Sequence, residues 1–498
     1  MVAANTTRPQ SGASKVVFAI VAIVSSASLL PFLNKSVWKD EGASLYSSRL
    51  SWASLWHESQ VVDRVLLPYY ALLHVWLEIS YNIEWARVLS LLAFGLTLYV
   101  VGLLAHRVVG MWCALLAVVL TCTNPLMVTS ALDARPYALA ALAAVLSVAA
   151  LLKWFDDGGI RFLWLFSLFA VATALLQLFA VLAPLSALAA CVALKPQMFR
   201  RHWQSVLPPI TALVVVVAAF LALVAHQQGQ VSWIPGLGPK LFFEDLEGPA
   251  SSAAGHLYYP ALVAALGFLA LVVCIAGWLR HSFRLERFEV DRVLVYFCVG
   301  IVPTVILVLI TLVKPIYVDR YVTSSAPELA IAVALLTSYA LRALKVTSSL
   351  PTRTVVAVAV VAALAILAVN SVTVSRSPLQ DLKGAAQYII HSAHPSSEVA
   401  VPGHFLATGV GYYLVRGDSP LRLWPHLSGL RFNDALDLNE EAKAFASAPN
   451  NLWLVDDPSQ KGMRGFIEDL REHGFTRVNS QNFYQVSVIH FLRDHKAG

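Results

Sequence analysis

Residues 38–46 read Trp-Lys-Asp-Glu-Gly-Ala-Ser-Leu-Tyr and follow the first long apolar run of the chain, where a polar loop begins. A charge at the centre of a bilayer costs about 2.5 to 3.5 kcal/mol on insertion scales, so acids beside an apolar run lie at the interface or have a function. Two interpretations of Asp40 and Glu41 follow. Either they cap a helix that runs along the interface through Leu45 and Leu50, or one carboxylate acts as a general base at the outer face of a membrane.

The composition is that of a polytopic membrane protein. Of the 498 residues, 58% are hydrophobic and only 13% are charged, and the mean hydropathy is +0.66. A soluble protein is far more charged than this. The net charge of +6 reflects topology, because basic residues concentrate in particular loops, and it does not indicate nucleic-acid binding. The five cysteines fall inside apolar runs, so we expect neither a disulfide framework nor a CxxC metal site.

Long apolar runs predict eleven transmembrane helices. One run is too long for a single span, so we divide it near Ala174. The segment 66–80 has only about fifteen residues and contains a proline, a histidine and a glutamate, which favours a juxtamembrane or re-entrant helix. The ten runs are 16–33, 84–105, 111–131, 136–154, 162–194, 205–226, 257–279, 293–313, 328–344 and 354–374.

Basic residues predict how these helices are oriented. With the N-terminus in the cytoplasm, the inner loops contain fifteen Lys or Arg residues, and the outer loops before residue 375 contain eight. This asymmetry follows the positive-inside rule. A full span at 66–80 would place the four arginines between 280 and 292 outside. The orientation brings polar residues from distant loops to the outer face, and these are Asp40, Glu41, Asp63, Asp133, Arg135, His256, Asp319 and Arg320.

Most of these residues also have a purely structural interpretation. Asp63 and Arg64 are typical of a helix start before the segment Leu-Pro-Tyr-Tyr at 67–70. The segment Asp-Ala-Arg-Pro-Tyr at 133–137 contains a proline that suits the first turn of the next helix. His256 lies next to tyrosines that commonly anchor a helix at the interface.

The segment 314–321, Lys-Pro-Ile-Tyr-Val-Asp-Arg-Tyr, is harder to explain by structure alone. It brings two cations, an acid and two tyrosines into one short turn. The planar donor fork of arginine suits phosphate oxygens, so this turn predicts a lipid-phosphate site, with an interfacial aromatic belt as the alternative. The polar loop 227–256 is long enough to cover a site as a lid or to serve as a passive connector.

After Val374 the composition becomes that of a soluble protein. We therefore divide the chain into a transmembrane domain, 1–374, and a small extracytoplasmic α/β domain, 375–498. The second domain has neither a Gly-rich phosphate loop nor a nucleophile elbow, so we assign it no chemistry. Its predicted elements are a helix at 381–394, a strand at 398–401, a helix at 404–415, strands at 421–424 and 451–455, a helix at 461–473 and a hairpin at 475–492.

Taken in order, the motifs resemble the GT-C superfamily of polyprenyl-phosphate-sugar-dependent glycosyltransferases. The likeness is greatest to the branch of protein O-mannosyltransferases, aminoarabinose transferases and actinobacterial mannosyltransferases, and it covers roughly residues 16–345. The motifs that carry it are Asp40-Glu41, Leu67-Pro68-Tyr69-Tyr70…His74…Trp76, Glu84…Arg87…Ser90, Ala134-Arg135-Pro136-Tyr137-Ala138-Leu139 and Lys314-Pro315…Asp319-Arg320-Tyr321…Pro327.

The resemblance implies an inverting transfer of a sugar, mannose by likeness, from a polyprenyl-phosphate donor to a hydroxyl. The acceptor would be a glycan, glycolipid or protein at the outer face of a bacterial plasma membrane. Asp40 matches the family's catalytic aspartate, and Glu41 would orient the acceptor or Asp40. Arg320, with Arg135 or Lys314, would bind the donor phosphate. The other residues implied to line the substrate site are Asp63, Tyr69, His74, Asp133, Tyr137, His256, Tyr317, Asp319 and Tyr321.

Some relatives hold a metal with a carboxylate at the place of Asp63, and His256 would be a second ligand. Two ligands far apart in sequence do not make a metal site, so we predict none and leave a divalent cation open. The family's lysine beside that carboxylate is replaced by Arg64, which leaves the donor sugar open. A transporter or flippase would show symmetry between its halves, which is not seen. A membrane scaffold that presents the tail domain predicts that Asp40→Asn is silent.

Overall fold

The computed structural model describes residues 12–227, 234, 258–279, 286–347, 368–369, 371–401, 404–424, 448–457 and 463–493. The helices of this part of the chain are α1 (Gly12–Ala27), α2 (Lys39–Arg49), α3 (Trp52–Val61), α4 (Leu67–Leu77), α5 (Ile83–Val109), α6 (Met111–Cys122), α7 (Pro125–Ala131), α8 (Tyr137–Asp157), α9 (Ile160–Leu176), α10 (Leu182–Leu194), α11 (Pro196–Arg201), α12 (Trp203–Val224), α13 (Tyr258–Leu279), α14 (Arg287–Thr311), α15 (Ala326–Thr347), α16 (Leu382–Ser392), α17 (His404–Arg416) and α18 (Met463–Glu472). The strands are β1 (Glu398–Ala400), β2 (Arg422–Trp424), β3 (Asn451–Asp456), β4 (Phe475–Phe483) and β5 (Val486–Arg493). Short 3-10 turns lie at Leu30–Phe32, Arg64–Leu66, Leu178–Val181 and Asp319–Ser325.

The chain divides into two compact units, and both of them are discontinuous in sequence. The first comprises Met1–Phe32 and Arg87–Ser375, and the second comprises Leu33–Ala86 and Arg376–Gly498. From the sequence we expected the segment Leu33–Ala86 to belong with the transmembrane helices, in the domain 1–374. In the structure this segment instead packs with the C-terminal residues.

The helices long and apolar enough to cross a membrane belong to the first unit, except for the first turn of α5, Ile83–Ala86. The described residues contain six of them, or seven if the bent pair α6 and α7 forms one span. That pair bends by 66° because a new helix starts at Pro125, which lacks an N–H, while the Asn124 side chain accepts a hydrogen bond from the Met127 N–H at 3.0 Å. The protein is therefore a multi-pass, mostly helical membrane protein.

Ten of the eleven predicted spans coincide with helices in the described residues. The break that we expected near Ala174 occurs at Gln177, between α9 and the turn Leu178–Val181. Several of these helices contribute apolar stretches of fewer than 18 residues, so the count of eleven stays a prediction. The last predicted span, 354–374, lies mostly outside the described residues.

Helix α8 is central to the first unit, since fourteen of its 21 residues are buried. Nearby, α14 and α15 pack closely and antiparallel. Arg342 forms a 2.7 Å ion pair with Glu289 at one end, and Gly300 meets Leu329 further along. A Cβ at Gly300 would lie 2.9 Å from the Cβ of Leu329, so only glycine allows this approach.

The second unit contains a five-stranded sheet in the order β2-β1-β3-β5-β4. Strands β2, β1 and β3 are parallel, while β5 pairs antiparallel with both β3 and β4. Both faces of the sheet are apolar at β3, because its consecutive residues Leu452 to Val455 are apolar and alternate side chains of a strand point to opposite faces. Trp453 and Val455 pack with α16 and α17, and Leu452 and Leu454 pack with α18. Each helix and strand described between residues 381 and 493 lies within a few residues of its predicted position.

Helix α4 occupies the segment 66–80, for which we expected a juxtamembrane or re-entrant helix. It has 11 residues and is about 16 Å long, which is too short to cross a bilayer. It belongs to the second unit together with α2 and α3.

Helices α2 and α17 approach each other through a glycine pair. A Cβ built on Gly42 would lie 2.5 Å from the backbone nitrogen of Gly409, and backbone atoms cannot move aside as the end of a flexible side chain can. We expect Gly42→Ala to destabilise the second unit by about 1–3 kcal/mol, as overpacking does, and to lower the thermal unfolding midpoint of the purified protein.

Gly465→Ala in α18 is the matched control, because nothing lies within 4 Å of a Cβ at that position. Alanine favours a helix over glycine by roughly 0.5–1 kcal/mol, so this control keeps or raises the midpoint. An unchanged midpoint for Gly42→Ala would contradict the close contact of α2 with α17.

Candidate active site

Asp40 and Glu41 lie in the first turn of α2, in the second unit. The N-cap residue Trp38 is extended and its side chain makes no capping bond, so the start of α2 is not capped by a residue of its own segment. The partial positive charge at a helix N-terminus favours ionised carboxylates there. Their surroundings differ, because Glu41 is 1% exposed whereas Asp40 is only partly buried. Asp40 is therefore the carboxylate of this pair that a substrate can reach.

The start of α2 is held by residues more than 300 positions further along the chain. The N–H of Lys39 donates to Oε1 of Gln380 at 3.1 Å, and Nζ of Lys39 lies 3.0 Å from Oδ2 of Asp457. The side-chain amide of Gln380 donates to the same Asp457 oxygen at 3.1 Å. Gln380 and Asp457 were missed by the sequence analysis, since no local pattern marks a polar residue whose partner is brought to it by packing.

Asp63 precedes the 3-10 turn Arg64–Leu66, as a helix-start residue would, but it makes no side-chain cap. Its backbone is left-handed, with φ of 50°, a conformation that Asp adopts more readily than most residues. The hydroxyl of Tyr70 donates to Oδ2 of Asp63 at 2.9 Å. Beside it, Tyr69 is fully buried, and the guanidinium of Arg64 lies 5.7 Å from the Trp56 ring centroid.

His74 ties α4 to the two helices before it. Its Nδ1 is 2.9 Å from the carbonyl oxygen of Ser48, and its ring centroid is 4.3 Å from that of Trp52. Its Nε2 is 3.9 Å from Glu78. These contacts give His74 a packing role in the second unit, and its substrate-binding role stays a prediction.

Glu58 is a candidate that the sequence analysis did not consider. The Ser47 hydroxyl on α2 donates to its Oε1 at 3.1 Å. The pKa of the Glu58 carboxyl is raised to about 7, mainly by burial; the bond from Ser47 lowers it, and the negative charge of Asp63 contributes a smaller increase. The only signal in the sequence that could have marked Glu58 as a candidate is that it is the one acid among the mostly apolar and neutral residues of α3.

In the first unit, the turn between α7 and α8 carries Asp133, Arg135 and Tyr137, all of them at most 6% exposed. The Ser90 hydroxyl on α5 fixes this turn, because it lies 2.7 Å from the carbonyl oxygen of Asp133 and 3.4 Å from that of Arg135. Helix α8 begins at Tyr137, directly after Pro136, as the proline predicted.

The segment 314–321 forms the second polar turn of the first unit. The N–H of Tyr317 donates to the Thr311 hydroxyl at 3.1 Å, and the Tyr317 ring is buried in an apolar cluster. Lys314 is exposed, while Asp319 and Arg320 are partly buried at the start of the turn Asp319–Ser325. The ring of Tyr321 lies 5.3 Å from that of Phe179.

The structure brings these two turns of the first unit together. The turn Asp319–Ser325 packs against both α7 and α8, the helices that flank the turn 133–137. Arg135 and Arg320 therefore come from neighbouring turns although they lie far apart in sequence. His256 falls outside the described residues. Within the described residues, no three His, Cys, Asp or Glu side chains are grouped to hold a metal ion.

Comparisons with known proteins identify the fold. ArnT from Cupriavidus metallidurans in the apo state matches 95% of this chain and 97% of its own, with a TM-score of 0.55 and 12% identity. ArnT bound to undecaprenyl phosphate matches with the same coverage and TM-score at 14% identity. Arabinofuranosyltransferase AftD from Mycobacteria covers 98% of this chain and 42% of its own, with a TM-score of 0.49 and 14% identity. No family model and no curated protein sequence matches the chain.

The raised pKa of Glu58 makes the stability of the folded protein depend on pH. Because the pKa lies near 7 in the folded protein and near 4.5 in an unfolded chain, the folded state binds the proton more tightly. The associated stability is present below pH 4.5 and is lost as the pH rises towards 7. We expect the thermal midpoint of Glu58→Gln to fall less than that of the wild type between pH 4.5 and 7.5.

Glu468→Gln, at an exposed glutamate of α18, is the control and should follow the wild-type curve. Parallel curves for Glu58→Gln and the wild type would show that Glu58 titrates as it does in an unfolded chain.

Proposed function

Since the chain has the GT-C fold that it shares with the aminoarabinose transferase ArnT, we propose that it is a multi-pass membrane glycosyltransferase. It moves a sugar from a polyprenyl-phosphate donor to a hydroxyl of a glycan, glycolipid or protein at the outer face of a bacterial plasma membrane. The match to ArnT bound to undecaprenyl phosphate, a polyprenyl phosphate, supports the donor class. The proposed orientation, with the N-terminus in the cytoplasm, is supported by the distribution of lysine and arginine.

The observation that carries the proposal is the position of Asp40, a partly exposed carboxylate in the first turn of a helix whose start is fixed. We assign it the role of general base. As the acceptor oxygen attacks the anomeric carbon, the hydroxyl proton passes to Asp40 and the bond from the anomeric carbon to the phosphate oxygen breaks. The leaving phosphate keeps the electron pair, and the configuration at the anomeric carbon inverts. Glu41, which is buried beside Asp40, orients it.

The departing polyprenyl phosphate gains negative charge, which must be stabilised by cations. We assign this role to Arg320 and Arg135, with Lys314 as an exposed third cation, because the turn of Arg320 packs against the two helices that flank the turn of Arg135. The two arginines are suited to phosphate because each presents a planar fork of N–H donors. Tyr137, Tyr317 and Tyr321 on the same turns are the proposed aromatic lining for the substrate.

The donor sugar is the finer part of the proposal. The sequence motifs favour mannose, whereas ArnT, with which the chain shares its fold, is an aminoarabinose transferase. Both donors therefore belong in the assay, which follows labelled sugar from polyprenyl-phosphate-mannose and polyprenyl-phosphate-aminoarabinose into membrane lipids and glycans.

Asp40→Asn is expected to lower the rate of sugar transfer by about 10²–10⁴-fold, the range of a lost general base. The asparagine has almost the same shape, so donor binding should be retained. Glu41→Gln, at the buried neighbour, should have a smaller effect on transfer. Equal transfer by Asp40→Asn and the wild type at matched expression would exclude Asp40 as the base.

Arg320→Gln is expected to weaken donor binding or slow transfer by roughly 10–100-fold, because a hydrogen bond to a charged group is worth about 1.5–3 kcal/mol. The control is Arg201→Gln, at an exposed arginine of the short helix α11. Donor KM and kcat measured for both variants provide the test, and unchanged kinetics for Arg320→Gln would remove it from the phosphate site.

A further inference from the structure

We propose that the C-terminal residues of the second unit position the catalytic carboxylate, and that Gln380 and Asp457 are the side chains through which they do so. This inference rests on the proposed role of Asp40. It assigns a role in the reaction to a segment that has no recognisable catalytic motif of its own. Gln380 and Asp457 act through Lys39, so they are positioning residues and not catalytic ones.

The backbone at the start of α2 receives its cap from the C-terminal segment. The first N–H groups of a helix have no partner inside the helix, and a polar side chain at the N-cap usually accepts one of them. Trp38 occupies that position and has no suitable oxygen. Oε1 of Gln380 accepts the N–H of Lys39 instead, at 3.1 Å, and Gln380 itself is only 3% exposed. A residue 341 positions away therefore caps the helix that begins one residue before Asp40.

Asp457 fixes the orientation of the Gln380 amide. An amide group can exchange its oxygen and nitrogen by rotation, which would turn a donor towards the Lys39 N–H. Asp457 opposes this exchange, because its carboxylate accepts from the Gln380 NH₂ group at 3.1 Å and would repel the oxygen. Asp457 is 1% exposed, and Nζ of Lys39, 3.0 Å away, balances its charge. The three residues form a closed set: Gln380 binds the backbone of Lys39, and Asp457 binds the side chains of both.

The C-terminal segment holds the chain on both sides of Asp40. Before it, the Val37 N–H donates to the Tyr413 hydroxyl at 2.7 Å, and the Lys383 N–H donates to the Ser36 hydroxyl at 2.9 Å. After it, Gly42 is in backbone contact with α17.

Asp40 therefore has little freedom to shift along or around the axis of α2. In a transfer reaction a misplacement of about 1 Å can cost about 10²-fold in rate, so restraints of this kind bear directly on catalysis.

The test measures kcat and donor KM of the full-length protein in lipid nanodiscs for Gln380→Ala, with the thermal midpoint recorded in parallel. We expect kcat to fall about 10–100-fold, with donor KM within twofold of the wild type. The matched control is Asp456→Asn, at the neighbouring position, where the carboxylate receives a 3.4 Å bond from Ser487. This control should keep kcat within twofold of the wild type.

A double variant distinguishes loss of the contact between Lys39 and Asp457 from general destabilisation of the fold. Lys39→Gln leaves the buried carboxylate of Asp457 without its cation, and Asp457→Asn leaves the ammonium of Lys39 without its anion. The combination Lys39→Gln with Asp457→Asn restores a neutral pair that is able to hydrogen-bond. We expect the double variant to have a higher kcat than the poorer of the two single variants. A double variant that is worse than both would overturn the proposal.

Hydrogen exchange gives a readout that does not depend on activity. We expect the backbone amide of Lys39 to exchange faster in Gln380→Ala than in the wild type, and to be unchanged in Asp456→Asn. Unchanged exchange in Gln380→Ala, or a kcat within twofold of the wild type while Asp40→Asn has lost transfer, would reject the positioning role and leave the proposed function intact. Full transfer by Asp40→Asn would reject the proposed base and the positioning role together.

Discussion

A carboxylate withdrawn from water must be given a cation or several donors, and this requirement at Asp457 organises the second unit. An unpaired charge in such a place costs several kcal/mol, whereas Asp457 receives an ammonium from Lys39 and an amide N–H from Gln380. These partners lie 418 and 77 positions away in sequence. The segment Leu33–Ala86 belongs to the same compact unit as Arg376–Gly498, the last quarter of the chain. The start of α2, and with it the geometry of Asp40, depends on this arrangement.

Much of the secondary structure could be predicted from the sequence because the signals are local. Apolar runs of the length of one span marked ten helices, and the break between α9 and the following turn was placed within three residues. In the C-terminal segment, the helices and strands that the structure describes lie within a few residues of their predicted positions. The grouping of elements into units was not predictable in this way. It depends on partners such as Gln380 and Tyr413, which look like ordinary polar residues of a soluble domain until the chain has folded.

The candidate site shows the same division between local and long-range signals. Arg135 and Arg320 were selected for their chemistry, and the first unit packs the turn of one beside the turn of the other, with the first turn fixed by Ser90. Exposure was not readable from sequence, so the pair Asp40 and Glu41 appeared equivalent until the structure showed that only one is accessible. Glu58 was missed for a related reason, because its raised pKa arises from burial and not from its sequence neighbours.

The discontinuity of the second unit has a consequence for biosynthesis. Residues 33–86 leave the ribosome early, but β3, Gln380 and α17, against which they pack, are made only after the whole of the first unit. During that interval the N–H of Lys39 and the face of α2 around Gly42 have none of their native partners. The segment that carries Asp40 thus completes its fold only when the end of the chain has been synthesised. A chain truncated between Ser375 and Asp457 would keep the described helices of the first unit and still lack the partner that Asp457 gives to Lys39. The proposed activity would then depend on translation of nearly the whole chain.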